Sequence, residues 1–90
     1  MNIDNISIDY KSLLMVSPED FIKQVIKPGK KYLSLQDKVC LIILLRLKHY
    51  ISFRAIADQI NIIQHKINPN QKRLCTEDFV WKIWCKIVYE

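Results

Sequence analysis

With 90 residues, the chain has room for one hydrophobic core and therefore for a single domain. Half of its residues are hydrophobic and only one is glycine, which excludes a disordered chain and favours helices over a turn-rich β architecture. The net charge of +5 is unevenly distributed, because residues 21–75 hold eleven Lys or Arg against two acidic residues, a net +9. Two interpretations fit such a basic segment equally well. It binds a polyanionic partner, or its lysines are solvated and keep an apolar protein in solution.

The first predicted helix begins at the "SPED" stretch. Residues 1–16, which precede this stretch, are predicted as an N-terminal arm, weakly ordered or with a short helix or strand, and residues 17–90 as the helical domain. Ser17 is a suitable N-cap and Pro18 fits the first helical position. The "KPG" stretch from Lys27 to Gly29 ends this helix.

The second predicted helix, Leu35 to about His49, is apolar on every side. Ser34 and Asp37 have the spacing of a capping box at its start. The seven apolar residues from Val39 to Leu45 cover the whole helix surface, which predicts a central and fully packed element. A buried strand is the alternative for such a run, but the capping box and the basic C-terminal end favour a helix.

The second half of the chain contains three further predicted helical segments. Ser52 caps a helix over Phe53–Ile60, and a short helix over Ile63–Asn68 is closed by the "NPN" stretch. Thr76 caps a last helix that runs through residue 90. The sequence therefore predicts an all-α, single-domain bundle of four to five helices, with a helix-turn-helix-like corner.

The predicted corner has the residue types that a helix-turn-helix needs. Ala57 is the small residue where two helices cross, Asn61 stands at the turn, and Ile62 and Ile67 pack the second helix onto the first. Residues 33–67 resemble the helix-turn-helix superfamily and are similar to the N-terminal helix-turn-helix of DDE-type transposases. This chain departs from the family pattern at Ile63, where a capping Ser or Thr is usual, and at residue 69, where a proline ends the reading helix.

The resemblance implies non-enzymatic binding of duplex DNA. Bases in the major groove would be contacted by four polar residues of the short helix: Gln64, His65, Lys66 and Asn68. Phosphates would be held by basic residues nearby: Lys48, Arg54, Lys72 and Arg73. The alternative is a helical corner that meets the same packing rules without binding DNA.

The last helix supports a second hypothesis, because its aromatic residues exceed what one buried face needs. Trp81, Trp84 and Tyr89 either belong to the core or bind a protein partner or a second copy of the chain. The protein would then be an adaptor or a small regulatory subunit. A third hypothesis is a mobile-element fragment that folds but has no present role.

Enzyme activity, cofactors and metal ions are not expected from this sequence. It has no glycine-rich phosphate loop and no GxSxG motif, and Cys40, Cys75 and Cys85 form no CxxC pair. The first ten residues lack the apolar run of a signal peptide, and the longest apolar run is too short to span a bilayer. These features predict an intracellular protein, cytoplasmic or nuclear, without a membrane partner.

Overall fold

Five helices are present in the computed structural model, which describes residues 8–72 and 74–89. They are α1 Tyr10–Leu13, α2 Pro18–Val25, α3 Leu35–Lys48, α4 Phe53–Ile67 and α5 Glu77–Tyr89. No strand occurs among the residues described. The predicted all-α bundle is confirmed.

Helix α3 is the centre of the bundle. Its residues Val39–Leu45 are all buried, as expected for a helix with apolar side chains in every direction. Helices α2, α4 and α5 each pack against it, and α4 and α5 also pack against each other. The polar sides of the three outer helices are thereby left facing solvent.

Side-chain caps fix where the helices begin. The side-chain oxygens of Ser17, Ser34, Ser52 and Thr76 each accept a hydrogen bond from the backbone N–H three residues later. The predicted capping box is formed, since Asp37 also accepts from the Ser34 N–H at 3.2 Å. Burial raises the pKa of Asp37, but its hydrogen bonds with Lys30 and Ser34 outweigh burial and hold this pKa below its ordinary value of 3.8.

The described part of the predicted arm contains the short helix α1. Asp9 caps it by accepting from the Ser12 N–H, and Leu13 lies in the hydrophobic core. Residues 1–7 of the predicted arm lie outside the described residues.

The prediction of two helices within residues 53–68 is wrong, because α4 is continuous from Phe53 to Ile67. Four isoleucines explain the continuity: Ile56, Ile60, Ile63 and Ile67 recur at helical spacing and all pack into or against the core. Asn61 therefore lies within the helix rather than at a turn. Ile62, predicted to pack inward, is 49% exposed.

The turn between two packed helices lies instead between α3 and α4, at residues 49–52. His49 ends α3, and Tyr50 has a φ of 54°, in the left-handed region. Arg46 spans this turn. It donates to the Ile51 carbonyl at 2.9 Å and its guanidinium lies 4.3 Å from the centre of the Phe53 ring.

Replacing two isoleucines of α4 one at a time should distinguish its buried side from its exposed side. Ile60→Ala, which removes a fully buried side chain, should lower the free energy of unfolding by about 2–5 kcal/mol. Ile62→Ala, on the exposed side, should change it by less than about 0.5 kcal/mol. Urea denaturation of both variants measures the difference. A similar loss for the two would mean that Ile62 is packed inside and that α4 is broken.

Candidate nucleic-acid interface

The solvent-facing side of α4 carries most of the predicted DNA-binding residues that belong to this helix. Arg54, His65 and Lys66 are exposed, and Asp58 is exposed between them. Arg54 and His65 are eleven residues apart, so they point within about 20° of each other and are separated by about 16 Å along the helix axis. This side of α4 therefore presents polar groups near both of its ends.

Gln64 is the one predicted base-contacting residue that the structure buries, with an exposed fraction of 3%. In a continuous helix it lies one turn after Ile60, on the core side. Its Nε2 donates to Asn61 Oδ1 at 3.3 Å, and its Oε1 accepts from Gln71 Nε2 at 3.2 Å. Gln64 is thus part of an internal amide network and does not face solvent.

The remaining predicted residues lie at the two ends of α4. Lys48 is exposed at the end of α3, close in sequence to Arg54, and Lys72 is exposed in the segment after α4. Asn68 is half-buried, and its Oδ1 accepts from the Asn70 N–H at 3.1 Å. Arg73 lies outside the described residues.

The structure divides the basic residues of the central segment into two groups. Three of them have structural contacts: Lys30 pairs with Asp37 at 2.6 Å, Lys38 lies over the Phe79 ring, and Arg46 spans the α3–α4 turn. Seven others are exposed and make no ion pair within the part of the chain described: Lys23, Lys27, Lys31, Lys48, Arg54, Lys66 and Lys72. The last four of these lie on or beside α4 and, together with His65, are the candidate interface.

Asn61 fixes the segment between α4 and α5 by hydrogen bonding with both the backbone N–H and the backbone carbonyl of Cys75. Its Oδ1 accepts from the Cys75 N–H at 2.6 Å, and its Nδ2 donates to the Cys75 carbonyl at 2.9 Å. A side-chain amide can make such a paired contact because it carries a donor and an acceptor. Sequence reasoning assigned Asn61 to a turn and missed this role. An asparagine inside a helix, where its propensity is low, was the available signal.

The predicted partner-binding residues of α5 differ in exposure. Trp81 is 50% exposed and Tyr89 is 82% exposed, whereas Trp84 packs against the core with its ring centre 6.5 Å from that of Phe53. Val88 is also 50% exposed and lies on the same side of α5 as Trp81. We call Trp81, Cys85, Val88 and Tyr89 the outer stripe of α5.

The three cysteines are free thiols, and burial raises the pKa of Cys40 and of Cys75. Within residues 8–72 and 74–89, no group of three or more His, Cys, Asp or Glu side chains is placed to hold a metal ion. No helix of this described part combines the length and the apolar character needed to cross a bilayer.

Comparison with protein-family models, with curated proteins and with solved structures finds no match for this chain.

Asn61→Ala should loosen the connection before α5, because it leaves the Cys75 N–H and carbonyl without their partner. We expect a loss of about 1–3 kcal/mol in the free energy of unfolding and faster hydrogen exchange at the Cys75 amide. Gln59→Ala, at an exposed position of the same helix, is the matched control. If Asn61→Ala is as stable as the control and the Cys75 amide stays protected, the paired contact does not hold this segment.

Proposed function

We propose that the protein is a non-enzymatic, duplex-DNA-binding protein that contacts mainly the phosphate backbone through the candidate interface. The observation that supports this most directly is the set of exposed cations, Lys48, Arg54, Lys66 and Lys72, which make no ion pair within the described residues. Cations without internal partners can release the counterions of DNA and gain affinity. The proposal includes a cytoplasmic or nuclear location, which free thiols suit.

The position of these cations supports a helix lying across a groove. Arg54 lies in the first turn of α4, with Lys48 just before it in the chain, while Lys66 and Lys72 lie at or beyond the other end. Arg54 and Lys66 are separated by about 18 Å along the helix axis, which exceeds the width of the major groove, about 12 Å, so both bordering backbones are within reach.

The burial of Gln64 changes the proposed mode of binding. Without Gln64, only His65 and Lys66 remain exposed on α4 among the side chains predicted to contact bases. Phosphate contacts fix position but carry no sequence information. We therefore propose binding that depends weakly on base sequence, unlike that of a helix-turn-helix with a separate reading helix.

Asp58 allows a test in which a substitution should raise the affinity for DNA, because it is an acidic residue in the middle of the exposed side of α4. A carboxylate facing DNA repels phosphates, so its removal should strengthen binding if this side of α4 meets the duplex.

Duplex binding should fall steeply with salt and should respond to charge on α4. With about four phosphate contacts, affinity should drop on the order of a hundredfold between about 50 and about 200 mM NaCl. Lys66→Ala should weaken binding about three- to tenfold and reduce the salt slope by about one, while Asp58→Asn should strengthen it. Fluorescence anisotropy with two labelled duplexes of unrelated sequence measures all three effects.

The matched control is Lys82→Ala, which removes an exposed lysine on α5 that pairs with Asp78 at 3.0 Å. It should leave affinity nearly unchanged. The proposal fails if the wild-type protein does not bind duplex at about 50 mM salt. It also fails if Lys82→Ala weakens binding as much as Lys66→Ala does, since the contact would then be unspecific attraction to a basic protein.

The outer stripe of α5 favours a second candidate function, in which two copies of the chain associate. Half of the Trp81 side chain and most of Tyr89 are exposed, and large aromatic residues are preferred in interfaces. An antiparallel pairing of two α5 helices through this stripe would form a symmetric contact in which each copy contributes the same residues.

Light scattering coupled to size-exclusion chromatography tests this second candidate. A dimer is expected that persists at high salt and is lost in Trp81→Ala, because the contact is mainly apolar. Tyr50→Ala is the control, since Tyr50 is an aromatic residue outside α5 that is even more exposed than Trp81. A wild-type protein that stays monomeric at the highest concentration reached rules this candidate out.

A further inference from the structure

A pocket of about 420 Å³ lies between α3, α4, α5 and the segment that precedes α5. Its lining combines apolar side chains with a few polar ones: Leu35, Lys38, Gln64, Leu74, Cys75, Thr76 and Phe79. A volume in this range is typical of sites for small ligands, which are mostly apolar with a few polar groups that orient the ligand. Among the residues that the structure describes, none that lines this pocket is acidic.

Lys38 gives the pocket a positive charge that no carboxylate of the described residues neutralises at ion-pair distance. Its Nζ lies 5.7 Å from the centre of the Phe79 ring. The neighbouring Cys75 does not supply a compensating negative charge. Burial raises the pKa of its thiol to about 11, an effect that the charge of Lys38 only partly opposes, so the thiol stays protonated at neutral pH.

Hydrogen bonds within the protein hold the wall opposite α3 in place. Asn61 hydrogen bonds with the N–H and the carbonyl of Cys75, and Gln64 is fixed by its hydrogen bonds with Asn61 and Gln71. A pocket whose walls are already ordered loses little conformational entropy when a ligand binds. The Gln64 Nε2 also carries a second N–H beyond the one donated to Asn61.

We propose that this pocket binds a small monocarboxylate with an apolar body. The carboxylate lies at Lys38 Nζ, and the body packs against Leu35, Leu74 and Phe79. The positive charge selects an anion, and the apolar side chains of the lining select a ligand with a single charged end over inorganic anions. This site is separate from the candidate interface, because Lys38 is not one of the exposed cations assigned to DNA.

The test is a titration of the ¹⁵N-labelled protein with octanoate, followed by NMR. Saturable shifts are expected at the amides of Lys38, Cys75 and Phe79. Lys38→Met keeps most of the length of the side chain but removes its charge, and it should weaken octanoate binding at least about tenfold. Octanol and inorganic phosphate, which each lack one half of the proposed ligand, should bind at least about tenfold more weakly than octanoate.

Two further variants keep the result interpretable. Lys31→Met removes an exposed lysine outside the pocket and should leave octanoate affinity unchanged. Leu74→Asp places a negative charge at the pocket, at a residue that is 70% exposed and so of little importance for folding, and should weaken binding. The proposal is wrong if no saturable shifts occur, if Lys38→Met binds as well as wild type, if octanol binds equally well, or if the shifts centre on the outer stripe of α5.

Discussion

The burial of α3 on all sides is the constraint on which the rest of the structure depends. A helix whose residues 39–45 are all apolar cannot lie at the surface, so α2, α4 and α5 must surround it. Each outer helix then turns its apolar side inward and its polar side outward. The solvent-facing side of α4 and the pocket beside α5 are both consequences of this arrangement, because the first lies away from α3 and the second lies where α3, α4 and α5 meet.

Local signals in the sequence were sufficient to predict most of the fold. Ser17, Ser34, Ser52 and Thr76 cap helices as predicted, because a cap depends only on residues within one turn. The break at Asn61 was wrong because a residue of low helix propensity was taken for a turn, although the isoleucines at 56, 60, 63 and 67 have the spacing of one continuous helix. The partner of Asn61 is the backbone of Cys75, fourteen residues later, and the sequence does not identify it. The predicted turn residue is instead a helical residue with a long-range hydrogen-bonding role.

The candidate interface could be predicted only in part for a related reason. The number of basic residues is visible in the sequence, but their partners are not. Arg46 lies against Phe53, Lys38 lies against Phe79, and Lys30 pairs with Asp37, so only the remaining described cations of this segment are left to solvent. Gln64 shows the same limit. In a separate short helix it would face solvent, whereas in the continuous α4 it lies in the amide network. Which side chains are accessible depends on helix phase, and phase depends on packing.

Consecutive helices are also neighbours in space, because α2 packs on α3, α3 on α4, and α4 on α5. Among the more extensive helix–helix contacts of the described residues, the one between α3 and α5 skips a helix. Chains whose contacts join nearby residues close short loops during folding and reach the native state in microseconds to milliseconds. The bundle can therefore assemble by adding one hairpin at a time, with the apolar middle helix covered soon after it forms. Such a route leaves little time for the most aggregation-prone stretch of the chain to meet another molecule.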